Sequence, residues 1–122
     1  ATNQALTAAQ GKVLNDRFVN DFLSLKSENG YQKLPGGLII QWGVINYANF
    51  PSEISVNVTF PIAFTSNCLN FGATRKMSAH GEPGDGTVNL ISTSKESALV
   101  SLQNITASTG SLRGFTWFSI GY

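Results

Sequence analysis

Residues Leu34 to Asn46 read LPGGLIIQWGVIN, and this stretch constrains the fold more than any other. Pro35, Gly36 and Gly37 form a turn signal, because Pro presets φ and Gly accepts positive φ. A strand follows. Leu38, Ile40, Trp42 and Val44 give it one wholly apolar face. Ile39, Gln41, Gly43 and Ile45 give it a second face, apolar at both ends. A strand with one side in water would carry a polar second face. This one calls for cover on most of both sides. The pattern assigns Leu38, Ile40, Trp42 and Val44 to the core, and Ile39 and Ile45 to a face covered by the same domain or by something else.

The chain has 122 residues, the size of one ordinary domain. Charged residues make up 12%, about half the usual 25%. With 12 glycines and abundant Ser, Thr and Asn, the surface is expected to be polar but uncharged. A net charge of +1 gives no strong pull on nucleic acid or anionic membrane. Apolar runs fall far short of the roughly 20 residues of a membrane span. Ala1 to Gln10 lacks the basic start and apolar core of a signal peptide. The absence of an initiator Met suggests a fragment or processed product. Cys68 is the only cysteine, so it forms no internal disulfide and no zinc site by itself. Its expected place is buried in a strand.

Residues 1–29 differ from the rest. Thr7-Ala8-Ala9-Gln10 fits a capping box. A helix is expected from Ala8 to Lys26, with Gly30 as its stop. Leu14, Phe18 and Phe22 keep an i, i+4 row, and Leu14, Phe18 and Leu25 a heptad-like spacing. A helix this apolar either packs on its own domain or self-associates as a short coiled coil. Gly11 in such a helix would permit close approach of neighbouring helices.

From Tyr31 the pattern is β. Strands are expected at Tyr31–Leu34, Leu38–Asn46, Ile54–Phe60, Ser66–Thr74, Thr87–Thr93, Ala98–Gln103 and Arg113–Tyr122. Ile54, Val56, Val58 and Phe60 alternate with Ser55, Asn57 and Thr59, as in a half-buried antiparallel strand. Leu69 and Phe71 are expected on one face, and Cys68 and Asn70 on the other. In the last strand Phe115 and Trp117 share a face, opposite Phe118, Ile120 and Tyr122. Turn signals every 8 to 12 residues indicate an antiparallel sandwich of six to seven strands. The longest loop, Arg75 to Gly86, is polar and holds the only His.

Catalytic chemistry is thinly represented. Nucleophilic catalysis needs a nucleophile, a base and an orienting group, and His80 is the only imidazole. His80, Glu82 and Asp85 lie too close in one loop to make a preorganised triad. His80 reads as a ligand-touching or merely solvated loop residue. Paired carboxylates could serve glycoside hydrolysis, but the three-residue spacing of Glu82 and Asp85 is common by chance. No phosphate-cradling, zinc or calcium motif is present, so no catalytic residue, metal ligand or cofactor is assigned. Tyr47 at a rim could stack on a sugar ring or simply pack. Arg75, Lys76 and Arg113 could hydrogen-bond sugar hydroxyls or acidic groups, or serve solubility.

Three segments resemble the C-terminal end of phage tail fibres: TNQALTAAQGKVLNDR at 2–17, GYQKLPGGLIIQWGVI at 30–45, and the terminal GFTWFSIGY at 114–122. The resemblance implies homotrimers whose small β-sandwich tip binds host-surface carbohydrate, commonly lipopolysaccharide. It carries over no catalytic motif and no binding residue. The resulting expectation is a mainly β chain: a coiled-coil-like trimerisation helix at 1–29, then an antiparallel sandwich tip at 30–122. The ligand-binding candidates are Arg75, Lys76, His80, Glu82, Asp85, Arg113 and Tyr47. They place the contact in Ala73–Gly86, with Thr106–Arg113 as second choice. Expected partners are two further copies, host polysaccharide and the upstream fibre, with no nucleic acid and no membrane insertion. The expected location is the virion, at the fibre tip. A fibre-borne depolymerase or esterase and a purely structural fibre module are the alternatives.

Overall fold

The computed structural model describes residues 7–46, 53–76, 86–104 and 114–122. Helix α1 (Ala8–Asp21) precedes eight strands: β1 (Ser24–Leu25), β2 (Gly30–Lys33), β3 (Ile39–Asn46), β4 (Ile54–Thr59), β5 (Cys68–Arg75), β6 (Gly86–Thr93), β7 (Ser97–Asn104) and β8 (Gly114–Gly121). They form two antiparallel sheets, a five-stranded one in the order β1-β2-β3-β8-β5 and a three-stranded one in the order β4-β7-β6. The chain is thus mainly β with one N-terminal helix, as its patterning predicts.

Helix α1 starts with the expected capping box. Gln10 N donates to Thr7 Oγ1 at 3.1 Å, and Thr7 N donates to Gln10 Oε1 at 2.9 Å. It stops sooner than the sequence suggests, at Asp21 rather than Lys26. The backbone groups that would extend it are taken by the sheet. Lys33 N donates to Leu23 O at 2.9 Å. Ser24 and Leu25 pair with Gln32 and Tyr31 as β1. Gly30 is therefore not a helix stop. It lies in β2, where a Cβ would sit 2.9 Å from Trp42 Cζ2.

The two faces of β3 are reversed relative to the sequence expectation. Ile39, Gln41 and Gly43 are buried, whereas Ile40, Trp42 and Val44 on the outer side are half-buried. The cause is Gln41, which has no exposed surface. Its Nε2 donates to Ile62 O at 2.9 Å, and its Oε1 accepts from Ile62 N at 3.0 Å. Burying an amide is costly only when its groups lack partners, and here one donor and the acceptor are both used. Gly43 lets the Trp117 indole of β8 lie flat across β3, with Trp117 Cε2 2.6 Å from where a Cβ would be.

The core joins Ile39, Phe71, Phe115 and Trp117 of the large sheet to Val58, Ala98, Val100 and Leu102 of the small one. Phe60 stands between them, with ring centroids 5.2 Å from Phe64, 5.7 Å from Trp117 and 6.3 Å from Phe71. Phe71 stacks on Trp117 at 5.8 Å. Such pairs add to the area they bury. Leu69 does not share the core face with Phe71. A bulge between Cys68 and Asn70 inserts it as an extra residue, and it is exposed. Bulges re-aim side chains in this way.

Candidate functional site

Strand direction sorts the molecule into two ends. Register places Ile39 beside Gly121 and Cys68 at one end, and Asn46 beside Gly114 with Arg75 beside Phe115 at the other. The first end is the base. Helix α1 meets it: a cleft of about 280 Å³ there is lined by Asn20 and Asp21 of the helix together with Lys33, Leu38, Ile39 and Thr65. Ser66 and Asn67 close the base by donating backbone N–H groups to Tyr122 O at 2.7 and 2.8 Å.

The opposite end is where the sheets exchange strands. There β3 ends before β4 begins, β5 before β6, and β7 before β8. The paired positions Ile54↔Leu102 and Gly86↔Asn104 put the small sheet's strand ends at this same end. The described strand ends that flank 47–52, 77–85 and 105–113 therefore all lie at one end of the sandwich, remote from the helix.

At this end the large sheet carries a small polar platform. Arg75 is the last residue of β5, paired with Phe115 and half-buried, rather than part of a loop. Lys76 follows it. Lys76 N donates to Gly114 O at 2.9 Å, and Lys76 Nζ donates to Asn46 Oδ1 at 2.9 Å. The ammonium is thus held across the mouths of β3, β8 and β5. Gly114 has φ +117°, and a Cβ there would strike Ile45 O. Only glycine lets the chain enter β8 so close to β3. Two cations and an amide on rigid strand ends can offer several donors to a hydroxyl-rich or anionic ligand.

Of the predicted binding residues, Arg75 and Lys76 are brought to this platform. Tyr47, His80, Glu82, Asp85 and Arg113 lie outside the described residues. Sequence reasoning missed Asn46 and Gly114. Their only signal was position, an Asn ending one apolar strand and a Gly opening another.

Elsewhere the described residues offer little reactive chemistry. Burial raises the Cys68 thiol above its ordinary pKa, and its Sγ lies 3.4 Å from Asn70 O. A nucleophilic cysteine needs the opposite shift. Among the described residues no three His, Cys, Asp or Glu side chains are grouped to hold a metal ion.

One further property bears on assembly. No residue of α1 is buried, and Leu14 and Phe18 are 51% and 63% exposed. Phe18 and Phe22 touch each other, with ring centroids 4.8 Å apart.

The sequence profile of the family described as "Putative tail fiber protein gp53-like, C-terminal" matches residues 33–122. An uncharacterised protein of Methanocaldococcus jannaschii is 33% identical over 94% of this chain and 81% of its own length. The structure of an N-truncated R1-type pyocin tail fibre superposes with a TM-score of 0.75 at 29% identity, covering 98% of this chain and all (100%) of that one. A longer P. aeruginosa R1 pyocin fibre gives a TM-score of 0.73 at 27% identity, and this chain spans 32% of it.

Proposed function

The chain belongs to the gp53-like tail fibre C-terminal family, and on that premise we propose that it is a trimeric receptor-binding tip that attaches its particle to host surface polysaccharide. As a tail fibre C-terminal domain it is located at the fibre tip of a phage or pyocin particle. One observation carries the functional reading: the strand ends that flank 47–52, 77–85 and 105–113 share the end opposite the helix, where Arg75 and Lys76 stand. Segments that connect the elements of a rigid scaffold carry binding residues disproportionately often. Tyr47, His80, Glu82, Asp85 and Arg113 belong to those three connections or border them in sequence, and we assign them with Arg75 and Lys76 to the contact surface.

The polysaccharide class we favour is lipopolysaccharide, whose sugars offer hydroxyls and acidic groups to a lysine, an arginine and amides. Affinity per site is weak, and several sites on one particle raise it by avidity. Trimerisation rests on the uncovered apolar surface of α1. Helices of this length are marginal alone in water, and self-association would bury Leu14, Phe18 and Phe22. We also propose a division into a neck at 1–29 and a tip at 30–122, with β1 the neck's contribution to the tip's sheet.

We read the function as non-enzymatic. The depolymerase or esterase alternative predicts release of reducing ends or acetate from the polysaccharide. The structural-module alternative predicts no binding. The test is adsorption of the folded protein to host lipopolysaccharide. Changing Arg75, Lys76 and His80 together to Ala should reduce adsorption at least tenfold without changing the oligomeric mass. Unchanged adsorption would move the site elsewhere, and no adsorption by the unaltered trimer would remove the receptor-binding reading.

A further inference from the structure

Asn29 is the one asparagine of the chain that precedes a glycine. Such a pair is prone to a reaction that needs no enzyme. The glycine N–H loses its proton to solvent base, and the nitrogen attacks the side-chain carbonyl carbon of the asparagine. A C–N bond forms, the bond to Nδ2 breaks, and ammonia leaves. Water then opens the resulting succinimide. Opening at the side-chain carbonyl gives an ordinary aspartyl residue. Opening at the main-chain carbonyl gives an isoaspartyl residue, with the main chain routed through Cβ. Glycine favours the attack because it has no Cβ to block it.

Asn29 and Gly30 stand where the chain leaving α1 is fastened to the large sheet. Three side chains fasten it. Gln32 Nε2 donates to Phe22 O at 3.0 Å, and Trp42 Nε1 donates to Ser27 O at 2.9 Å. Asn29 Oδ1 accepts from Val44 N at 3.0 Å, standing in for a β2 carbonyl where the ladder ends. Val44 N thus faces β2, and by the strand period of two so do the backbone groups of Trp42. Gly30, paired with Trp42, commits its N–H to the ladder. Both reacting groups, the Gly30 nitrogen and the Asn29 amide, are therefore held on β3. The seam has no slack. A Cβ on Gly30 would strike Leu25 O and lie 2.9 Å from Trp42 Cζ2, and one on Gly43 would strike Asn29 Oδ1. Asn29 itself is exposed, so water reaches it. We infer that Asn29–Gly30 is a self-modification site that the folded sheet holds silent, and that its isoaspartyl product unfastens residues 22–29 from the large sheet. Ring closure needs the Gly30 peptide out of the ladder, so its rate follows the open fraction of this segment. The isoaspartyl link adds a main-chain atom ahead of Gly30. In so tight a seam, either Gly30 then leaves Trp42 or residue 29 leaves Val44. Helix α1 would be joined to the sheet by unpaired chain.

Peptide mapping by mass spectrometry, on the full chain aged at pH 8, tests the shielding. Asn29 should deamidate at least about tenfold faster in guanidinium than in the folded protein, because the folded rate is scaled down by the open fraction. Trp42→Phe keeps a ring and removes the bond to Ser27 O, and Gln32→Leu removes the bond to Phe22 O. With β structure retained by circular dichroism, each should raise the folded-state rate several-fold. Equal rates folded and unfolded, or no rise in either variant, would overturn the shielding. For the product, chains aged in guanidinium are refolded and the isoaspartyl form is separated. Its hydrogen exchange should be faster across 22–29 than in the unaged chain, and unchanged in β8. Asn29→Asp copies the ordinary aspartyl product and should keep slow exchange, because its carboxylate still accepts from Val44 N. Slow exchange in the isoaspartyl form, or fast exchange in Asn29→Asp, would overturn unfastening by the longer main chain.

Discussion

Gln41→Ala puts the reversal of β3 to a quantitative test. The side chain is fully buried and makes two hydrogen bonds with one residue, Ile62, at 2.9 and 3.0 Å. Truncation leaves the Ile62 N–H and C=O both without that partner. A buried polar group left unsatisfied costs about 1–3 kcal/mol. Ile62 is half-buried, so water recovers part of this, and the pair should lose about 2–4 kcal/mol. For a domain of this size that corresponds to a fall in Tm of about 8–16 °C. Urea unfolding is the better assay, with the midpoint falling and the slope unchanged. Protein concentration is held constant, because the proposed self-association would make apparent stability depend on it. Gln41→Leu separates bonding from volume. It keeps the bulk and loses both hydrogen bonds, so it too should be destabilising. If Gln41 faced outward as its polarity alone suggests, Leu would be neutral or better. Both variants within about 0.5 kcal/mol of the unaltered protein, the usual range for surface changes, would refute the clamp.

Gly114→Ala should cost more than about 1 kcal/mol by urea unfolding, because φ +117° and the Ile45 carbonyl leave no room for a Cβ. Thr7→Ala removes half of the capping box and should lower the stability of α1 by about 1 kcal/mol, read from helical ellipticity on heating. Cys68 should react with iodoacetamide at pH 8 more slowly in the folded protein than in denaturant, since burial raises its pKa and lowers the thiolate fraction. Equal rates would argue against that burial.

The strands were legible because period-2 patterning and Gly/Pro punctuation agree along most of the chain. Ile54–Thr59 is the clearest case, with Val58 buried and Ser55, Asn57 and Thr59 exposed as the alternation requires. The faces of β3 were not legible. Hydropathy places a glutamine outside, and only a partner 21 residues away in sequence makes the inside tolerable. Leu69 was misassigned because a bulge shifts phase without any Gly or Pro to announce it. The two-residue β1 was invisible, since Ser24–Leu25 continues a helical pattern and is captured by pairing with Tyr31 and Gln32. At the candidate site, Arg75 and Lys76 were recognisable as exposed cations near a polar loop. The partners that fix Lys76 could not be read, because Asn46 and Gly114 lie 30 and 38 positions away along the chain (76 − 46 and 114 − 76).

The large sheet sets a fixed distance between its two ends. Strands β3, β5 and β8 each have eight residues, about 26 Å at the rise of an extended chain. Each runs from the base, where the helix is anchored, to the platform of Asn46, Lys76 and Gly114. On the proposed function, contacts between copies would lie along the helix. Those that meet the host would lie past the strands' far ends. On the proposed function, changes in 47–52, 77–85 and 105–113 would act on specificity. Substitutions more than about 10 Å apart with no shared partners act additively. Loop variants that alter receptor choice should therefore combine freely with stabilising changes at the base, and the exceptions should fall on Lys76 and Gly114, where one hydrogen bond joins the loop end of β5 to the start of β8.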